Sequence, residues 1–230
     1  MENSSIELCC PSIDEELVGF DDDAENITKY LISGKKRLDV VLIVGMAGLG
    51  KTALARNIYN SPSIINHFDI RAWCSVSQTY NRRELVLQIL KQITDDHRSN
   101  YVDLDYPEVM LWRCLYGKRY LVVLDNTWDV KAWDDFYGSF RDCDNGSRIM
   151  VTTRNKQVAM YSKWFSDPYS LPFLKDEKSW ELLQKKVFQR GNSCPLELVN
   201  VGQLVAKKCK GIPSLIIMIA EILSREREAS

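Results

Sequence analysis

The fold is decided by the stretch LDVVLIVGMAGLGKT, residues 38–52. Its first seven residues are apolar apart from one aspartate, which predicts a buried β-strand. The remaining eight, GMAGLGKT, match the pattern G-x-x-x-x-G-K-[ST] of a phosphate-binding loop. Helix-forming residues follow in the segment KTALARNIY, residues 51–59. This order of strand, glycine-rich loop and helix is the one that the loop requires, and it disfavours the alternative of a plain glycine turn.

The loop has a physical reason to hold phosphate groups. Gly48 and Gly50 let the backbone wrap closely, so that its N–H groups point at phosphate oxygens. A helix that begins near Gly50 places its positive end at the same point. Lys51 is predicted to reach the β- and γ-phosphates, and the hydroxyl of Thr52 to bind Mg²⁺. The predicted nucleotide-binding residues of this stretch are Gly45, Gly48, Leu49, Gly50, Lys51, Thr52 and Ala53.

A second apolar strand, RYLVVLD at residues 119–125, ends in an acid. Ligands of open α/β sheets bind at the carboxyl ends of the strands. Asp125 is therefore predicted to hold Mg²⁺, directly or through water, rather than only to cap the strand. Asn126 follows, and its neutral amide can orient a water molecule but cannot accept its proton at neutral pH. Hydrolysis is expected to be slow if a general base belongs at position 126; alternatively, Asn126 is a plain turn residue.

The stretch GSRIMVTTR, residues 146–154, predicts another strand and ends on Arg154. An arginine at that strand end could contact the γ-phosphate. A surface arginine that pairs with a helix fits the sequence equally well. The next residues, NKQV, carry Val158 where the guanine-binding motif N/T-K-x-D has an aspartate, which disfavours a guanine nucleotide.

Strands and helices alternate over most of the chain. Strands are predicted at residues 38–44, 68–76, 119–125, 147–153 and, more weakly, 169–174, and a helix at residues 82–93. Strands that are apolar on both faces and separated by helices indicate a parallel sheet covered by helices. Three helical segments follow, with no further strand. The predicted fold is an α/β, three-layer P-loop NTPase at residues 15–175, with a tail at residues 1–14 and a small all-helical subdomain at residues 176–230.

Composition excludes several other classes of protein. The formal net charge of -1 lacks the basic excess of a nucleic-acid-binding protein. Seven cysteines without a C-x-x-C pair, together with only two histidines, do not form a zinc site and indicate reduced thiols. The N-terminal residues MENSSIELCC lack the features of a signal peptide. The longest apolar run, residues 215–223, is too short to span a membrane and is predicted to be a buried helix. We therefore expect a cytoplasmic protein that binds no nucleic acid and has no transmembrane segment.

Taken in order, the motifs of the chain resemble those of the NB-ARC domain of plant NLR immune receptors, the nucleotide-binding leucine-rich-repeat disease-resistance proteins. This family belongs to the signal-transducing ATPases. Trp128, which follows the LDNT stretch, resembles the tryptophan found there in the coiled-coil class of these receptors rather than the TIR class. The opening VGFDDD resembles receptors of nightshade-family plants, in particular the NRC helper group. The resemblance covers about residues 15–230 and is carried by VGFDDDAE (18–25), GMAGLGKT (45–52), HFDIRAWCSVSQ (67–78), LVVLDNTWD (121–129), GSRIMVTTR (146–154), YSLPFLKDEKSWELLQKKVF (169–188) and GIPSL (211–215).

The resemblance implies further nucleotide-binding residues. Leu17 and Val18 would lie at the adenine, and Pro213 of the GIPSL motif would close the other side of the base from the helical subdomain. Arg154 matches the family's phosphate-sensing arginine. A glycine past one helix end and a proline at the start of the next also explain the GIP sequence structurally, and both explanations can hold together.

The sequence departs from the family pattern at two positions. Phe20 replaces the usual arginine after VG, and Asn126 replaces the second acid of LDD, so the roles of those residues do not carry over. Neither His67 nor His97 fits the M-H-D motif of the family's winged-helix subdomain, whose histidine contacts the ADP β-phosphate. The resemblance therefore implies a fragment without the winged-helix subdomain and the leucine-rich repeats, which we expect to be a monomer.

The implied function is that of an ADP/ATP-binding switch in an intracellular immune receptor, which controls defence signalling and hypersensitive cell death. ADP would hold the resting receptor closed, and ATP with Mg²⁺ would favour an open state in which the full-length receptor forms homo-oligomers. The implied partners are the receptor's other domains and either sensor receptors or a pathogen effector. Two alternatives stay open: a turnover ATPase, which Asn126 disfavours, and a protein-binding module whose nucleotide is only structural.

Overall fold

A five-stranded parallel β-sheet forms the centre of the molecule, with the strand order β2-β3-β4-β1-β5. The computed structural model describes residues 17–77, 81–94, 105–128, 138–155, 157–158, 167–188 and 194–228. The tail predicted at residues 1–14 lies outside these ranges. The strands are β1 (Asp39–Val44), β2 (Ile70–Ser75), β3 (Tyr120–Thr127), β4 (Arg148–Thr153) and β5 (Tyr169–Ser170).

Helices precede and connect the strands. Those in the described ranges before β4 are α1 (Asp21–Ser33), α2 (Lys51–Tyr59), α3 (Pro62–His67), α4 (Arg82–Ile93) and α5 (Pro107–Leu115). The helix predicted at residues 82–93 is confirmed as α4. Its first turn is capped by Asn81, whose side-chain oxygen accepts a hydrogen bond of 2.9 Å from the backbone N–H of Arg83.

The side chains of β1 alternate between two hydrophobic cores, one on each face of the sheet. Val41 and Ile43 belong to a core that also contains residues of α1 and α2. Val40 and Leu42 belong to a second core that contains residues of α4 and α5. Every position of β1 is buried, as expected for a central parallel strand with helices on both sides. The predicted three-layer α/β fold is confirmed.

Three helices follow the sheet, as predicted: α6 (Asp176–Val187), α7 (Leu196–Lys208) and α8 (Pro213–Glu228). Helix α6 packs against both of the others. In α8, Ile216 and Ala220 are buried, whereas Met218 and Ile222 are 57% and 56% exposed. The prediction of a buried helix at residues 215–223 is therefore right for one face only. In the described ranges, no helix combines the length and the apolar character needed to cross a membrane.

The parallel register brings the carboxyl ends of three strands together. Val44 at the end of β1 pairs with Thr153 at the end of β4, and Thr153 also pairs with Thr127 at the end of β3. Strand β4 lies between the other two. The glycine-rich loop after β1, the acid near the end of β3 and the arginine after β4 consequently lie at one edge of the sheet.

Candidate nucleotide-binding site

A cleft of about 320 Å³ opens at this edge, between the glycine-rich loop and the start of α8. Its volume is within the usual range of small-molecule sites, roughly 300–1,000 Å³. Among the residues predicted from the sequence, those that line the cleft are Leu17, Val18, Gly48, Gly50, Lys51, Thr52, Ala53, Arg154 and Pro213. Three predicted residues lie outside the lining, namely Gly45, Leu49 and Asp125.

The glycine-rich loop needs glycine at two positions for its backbone conformation. Gly48 and Gly50 have φ angles of +78° and +91°, in the left-handed region that side chains disfavour. Gly50 is also the N-cap of α2, so the positive end of that helix faces the cleft. The loop thus combines backbone N–H groups and a helix N-terminus, which together favour a phosphate group.

Lys51 is the first residue of α2 and is 7% exposed. Its ammonium group donates a hydrogen bond of 2.8 Å to the carbonyl oxygen of Met46. Burial lowers the pKa of Lys51 and nearby Arg154 lowers it further, whereas Asp125 raises it. No salt bridge joins Lys51 to a carboxylate of the described residues. An anion in the cleft would supply the missing counter-charge.

Asp125 lies behind the loop and holds two hydroxyl groups. The Thr52 hydroxyl donates to its carboxylate, with distances of 2.9 Å to Oδ1 and 3.1 Å to Oδ2. The Thr152 hydroxyl donates to Oδ1 at 2.5 Å. A carboxylate and a hydroxyl in contact fit Mg²⁺, which prefers oxygen ligands and is usually held by one or two carboxylates together with phosphate oxygens. Thr52 and Asp125 are thus the residues that would hold the ion.

Asn126 lies at the register shift of β3, which falls between Leu124 and Thr127. Its φ angle is +63°, a left-handed conformation that asparagine tolerates better than most residues. Its backbone N–H donates a hydrogen bond of 2.8 Å to the Thr152 hydroxyl, and Asn126 lines the cleft. The site therefore presents a neutral amide where a carboxylate would be needed to accept a proton.

Arg154 is exposed, lines the cleft and packs on an aromatic ring. Its guanidinium carbon lies 5.0 Å from the centre of the Trp128 ring, within the distance of a cation–π contact. The alternative explanation was that Arg154 is a surface arginine paired with a helix. Among the described residues, Arg154 forms no ion pair that would support this alternative. Contact with a γ-phosphate stays a prediction.

Part of the cleft lining is apolar. Leu17, Val18 and Pro213 belong to this lining, and the family resemblance implies that they enclose the adenine. Phe20 is 3% exposed and packs near the loop, since a Cβ added at Gly50 would lie 3.4 Å from its ring. Phe20 therefore supplies an apolar wall where the family's usual arginine would bring a charge. A cleft lined by both cationic and apolar side chains suits a nucleoside phosphate.

Several cleft residues were missed by the sequence analysis. Thr152 lies two residues before Arg154 in the stretch GSRIMVTTR, and its position at the end of a predicted strand was a usable signal. Lys186 and Ile217 reach the cleft only because α6 and α8 fold back over it, and no local pattern announces that. The sequence analysis discussed Phe20 and Asn126 without assigning them to the nucleotide-binding set. The other additional lining residues are Arg56, Thr152, Leu182, Lys186, Ser214 and Ile217.

The start of α8 contacts the glycine-rich loop directly. The backbone N–H of Ser214 donates a hydrogen bond of 3.2 Å to the carbonyl oxygen of Gly48. A side chain at Gly48 would collide with the Ser214 hydroxyl. The carbonyl oxygen of Gly211 accepts a hydrogen bond of 3.0 Å from the backbone N–H of Leu174. The helices after the sheet are thus joined to the phosphate-binding loop by backbone contacts.

Solved structures of similar fold support the P-loop architecture. An Aeropyrum pernix ORC2 protein in ADPNP–ADP complexes has a TM-score of 0.67 at 17% sequence identity, covering 96% of this chain and 66% of that one. A STAND (signal transduction ATPase with numerous domains) protein with a tetratricopeptide-repeat sensor, from Pyrococcus horikoshii, has a TM-score of 0.51 at 16% identity, covering 82% and 28%. At this level of identity the likeness concerns the fold alone.

Sequence comparison is more specific. The chain is 43% identical over 215 residues to the late blight resistance protein homolog R1B-14 of Solanum demissum, covering 93% of this chain and 16% of that protein. It is 42% identical over 221 residues to late blight resistance protein R1-A of the same plant, covering 93% and 17%. The chain thus spans about a sixth of the length of these relatives. The NB-ARC domain model matches residues 20–193, and the chain therefore belongs to the NB-ARC family.

Proposed function

We propose that the chain is the ADP/ATP-dependent switch module of an intracellular plant immune receptor. ADP occupies the cleft in the resting receptor, and ATP with Mg²⁺ occupies it in the active one. The observation that carries the proposal is a cleft that joins the phosphate-binding loop to the helices beyond the sheet. The kind of nucleotide bound can therefore influence how these two parts of the chain are arranged.

A purine nucleoside diphosphate or triphosphate suits the cleft better than a smaller anion. Lys51, Thr52 and the glycine-rich loop line the cleft together with apolar side chains. The loop and the lysine would bind the phosphates, and the apolar side chains, Val18 and Pro213 among them, would enclose the adenine. Val158 stands where a guanine-binding motif would carry an acid, which favours adenine over guanine.

A switch is favoured over a fast enzyme by the residue beside Asp125. Asn126 is neutral and cannot act as a general base. Arg154 and Lys51 both line the cleft, and Arg154 lies close enough to lower the pKa of Lys51, so a γ-phosphate would meet both cations. A ligand shifts a conformational equilibrium only when it binds the two states with different affinity. The γ-phosphate contacts of these cations are the proposed source of that difference.

The consequences for the whole receptor follow from the relatives, which are about six times longer than this chain. Within such a protein, the module would restrain the other domains while ADP is bound. ATP would release them, and the full-length receptor would form homo-oligomers in the cytoplasm that trigger the hypersensitive response. Sensor receptors or a pathogen effector are the proposed external partners. A helper role of the NRC type is part of the proposal.

The test is the nucleotide content of the chain purified without added nucleotide. We expect near-stoichiometric ADP after denaturation and chromatography. Lys51→Arg and Thr52→Asn should remove it, because the first changes the geometry of the phosphate contact and the second replaces the hydroxyl at the start of α2 that is hydrogen-bonded to Asp125. Lys208→Arg, on the exposed side of α7, is the matched control and should retain ADP. If Lys51→Arg and Thr52→Asn both retained as much nucleotide as the wild type, the proposal would be refuted.

Two other functions make different predictions. A turnover ATPase would show a steady-state rate above about 1 per second, within the ordinary range of enzymes. A protein-binding module with a structural nucleotide would bind ADP and ATP with equal affinity, because such a nucleotide shifts no equilibrium. Measured rates and affinities therefore separate all three functions.

A further inference from the structure

The residue after β3 and the residue after β4 form a pair at the edge of the sheet where the cleft opens. Thr127 and Thr153 are register partners on these adjacent parallel strands. Trp128 and Arg154 follow them in sequence, so the two side chains leave the sheet side by side. The guanidinium carbon lies 5.0 Å from the centre of the indole ring.

Hydrogen bonds hold both partners of this pair in place. The Thr153 hydroxyl donates to the carbonyl oxygen of Thr127 at 2.6 Å and accepts from the backbone N–H of Asn155 at 3.0 Å. The side-chain amide of Asn155 donates to the carbonyl oxygen of Trp128 at 3.2 Å. The segment that carries the ring and the segment that carries the arginine are therefore tied together. Positions on such a fixed support are more precise than positions on a free loop.

The cation–π contact leaves hydrogen-bonding groups of the arginine available. A guanidinium has five N–H donors in a fixed fork, and those that point away from the ring stay free to bind a ligand. No carboxylate of the described residues forms a salt bridge with Arg154. Arg154 lines the cleft, whereas Trp128 does not. Of these two side chains, the arginine is the one that a ligand in the cleft would contact, and the ring would act through it.

We propose that Trp128 is a positioning residue that favours a nucleoside triphosphate over a diphosphate by holding Arg154 at the phosphate end of the cleft. This inference rests on the proposed function, in which Arg154 contacts the γ-phosphate. A free arginine would lose side-chain freedom on binding, and the ring imposes that order before the ligand arrives. A diphosphate lacks the γ-phosphate that the ordered arginine would contact, so its binding would gain nothing from this order.

The test compares two replacements of Trp128 in the 230-residue chain. Trp128→Leu keeps an apolar side chain but removes the aromatic face, and Trp128→Phe keeps an aromatic face. Dissociation constants are measured for ADP and for the imido analogue of ATP, both with Mg²⁺. We expect Trp128→Leu to weaken binding of the analogue about two- to fivefold, the range of an exposed cation–π contact. Binding of ADP should not change, and Trp128→Phe should retain most of the preference.

Arg154→Ala and the double variant Trp128→Leu/Arg154→Ala complete a double-mutant cycle. In the Arg154→Ala background, the change at Trp128 should have no further effect on binding of the analogue. Equal weakening of ADP and analogue by Trp128→Leu, or a selective loss that persists without Arg154, overturns the positioning role. If Arg154→Ala itself leaves the preference for the analogue over ADP unchanged, then Arg154 does not sense the γ-phosphate. That result refutes both the proposed role of Arg154 and the role of Trp128. A selective effect of Arg154→Ala beside an unselective effect of Trp128→Leu refutes the role of Trp128 alone.

Discussion

Asn126 combines an unusual backbone with a position in the cleft. Its φ angle of +63° is accessible to asparagine and aspartate but strained for residues such as alanine. The same residue follows Asp125, which is bonded to Thr52 and Thr152. Position 126 can therefore accept a carboxylate without a change of backbone, although the protein has an amide there.

We expect Asn126→Asp to accelerate ATP hydrolysis by about 10²-fold, because a carboxylate at this position can accept a proton from water. The affinity for ADP should change little. The measurement is phosphate release under single-turnover conditions. Asn126→Gly is the control, since it removes the amide without adding a base and glycine tolerates the positive φ angle. Equal rates in the aspartate and glycine variants would show that position 126 does not face the attacking water.

Tyr169 provides a pH-dependent contribution to stability. Its hydroxyl donates to the carboxylate of Asp23 at 2.5 Å, and burial, followed by this hydrogen bond, raises the pKa of Tyr169 to about 12. Because the folded-state pKa lies above the ordinary value of 10.0, this contribution is fully present below pH 10 and is lost as the pH rises through about 12.

Tyr169→Phe should lower the free energy of unfolding by about 1 kcal/mol at pH 7, the usual net value of one hydrogen bond. It should also make the loss of stability above pH 10 less steep. Urea unfolding at pH 7 and at pH 10.5 measures both effects. A variant as pH-sensitive as the wild type would assign the alkaline loss to other groups.

Residues of a contiguous motif were predictable, whereas residues brought in by tertiary packing were not. Gly48, Gly50 and Lys51 belong to one short motif whose geometry follows from its sequence. Lys186 lines the same cleft from α6, and the pattern of that helix indicates only which face is apolar. The cation–π contact of Arg154 was missed for a similar reason, since it depends on the register between two strands.

Among the secondary-structure elements, the buried strands were predicted best. β1 and β4 fall within the predicted residues 38–44 and 147–153. A fully buried strand needs an uninterrupted run of residues that can be buried, and such a run is visible in the sequence. β5 is only two residues long, although a strand was expected at residues 169–174. Pro172 explains the difference in part, since it has no N–H to continue the ladder. Helix α1 was not predicted, and only Ile27 and Leu31 of its residues are buried.

The contact between the glycine-rich loop and α8 is the element-level feature that couples the two parts of the chain. Gly48 has φ of +78°, and a Cβ there would lie 3.0 Å from the Cβ of Ser214 besides colliding with its hydroxyl. Gly117 has a similar φ of +71°, and a Cβ there would meet nothing within 4 Å. The two glycines separate the effect of backbone strain from the effect of the contact.

Gly117→Ala should destabilise the chain by about 1–2 kcal/mol through backbone strain alone, without loss of bound nucleotide. Gly48→Ala should destabilise it more and also weaken ADP binding, because α8 must move away from the loop. Chemical unfolding and ADP titration measure the two effects. Identical behaviour of the two variants would mean that the contact with α8 does not constrain the loop.

At the scale of the whole molecule, the cleft uses residues from both sides of the predicted boundary at residue 175. Lys51 and Thr52 belong to the sheet region, whereas Pro213 and Ser214 belong to the helices that follow. A ligand in this cleft contacts both regions. The proposed division at residue 175 is therefore a division between parts that the nucleotide would join.

We therefore expect ADP to stabilise both regions together. A ligand that binds only the folded state at a hundred times its dissociation constant adds about 2.7 kcal/mol. For a chain of this size, that stabilisation corresponds to a rise in melting temperature of roughly 5–10 °C. Hydrogen exchange should show that amides of α2 and of α8 gain protection in parallel. Lys51→Arg should abolish both effects. Protection confined to the loop and α2 would mean that the helices close over the cleft without sensing its contents, which would remove the physical basis of a switch in this chain.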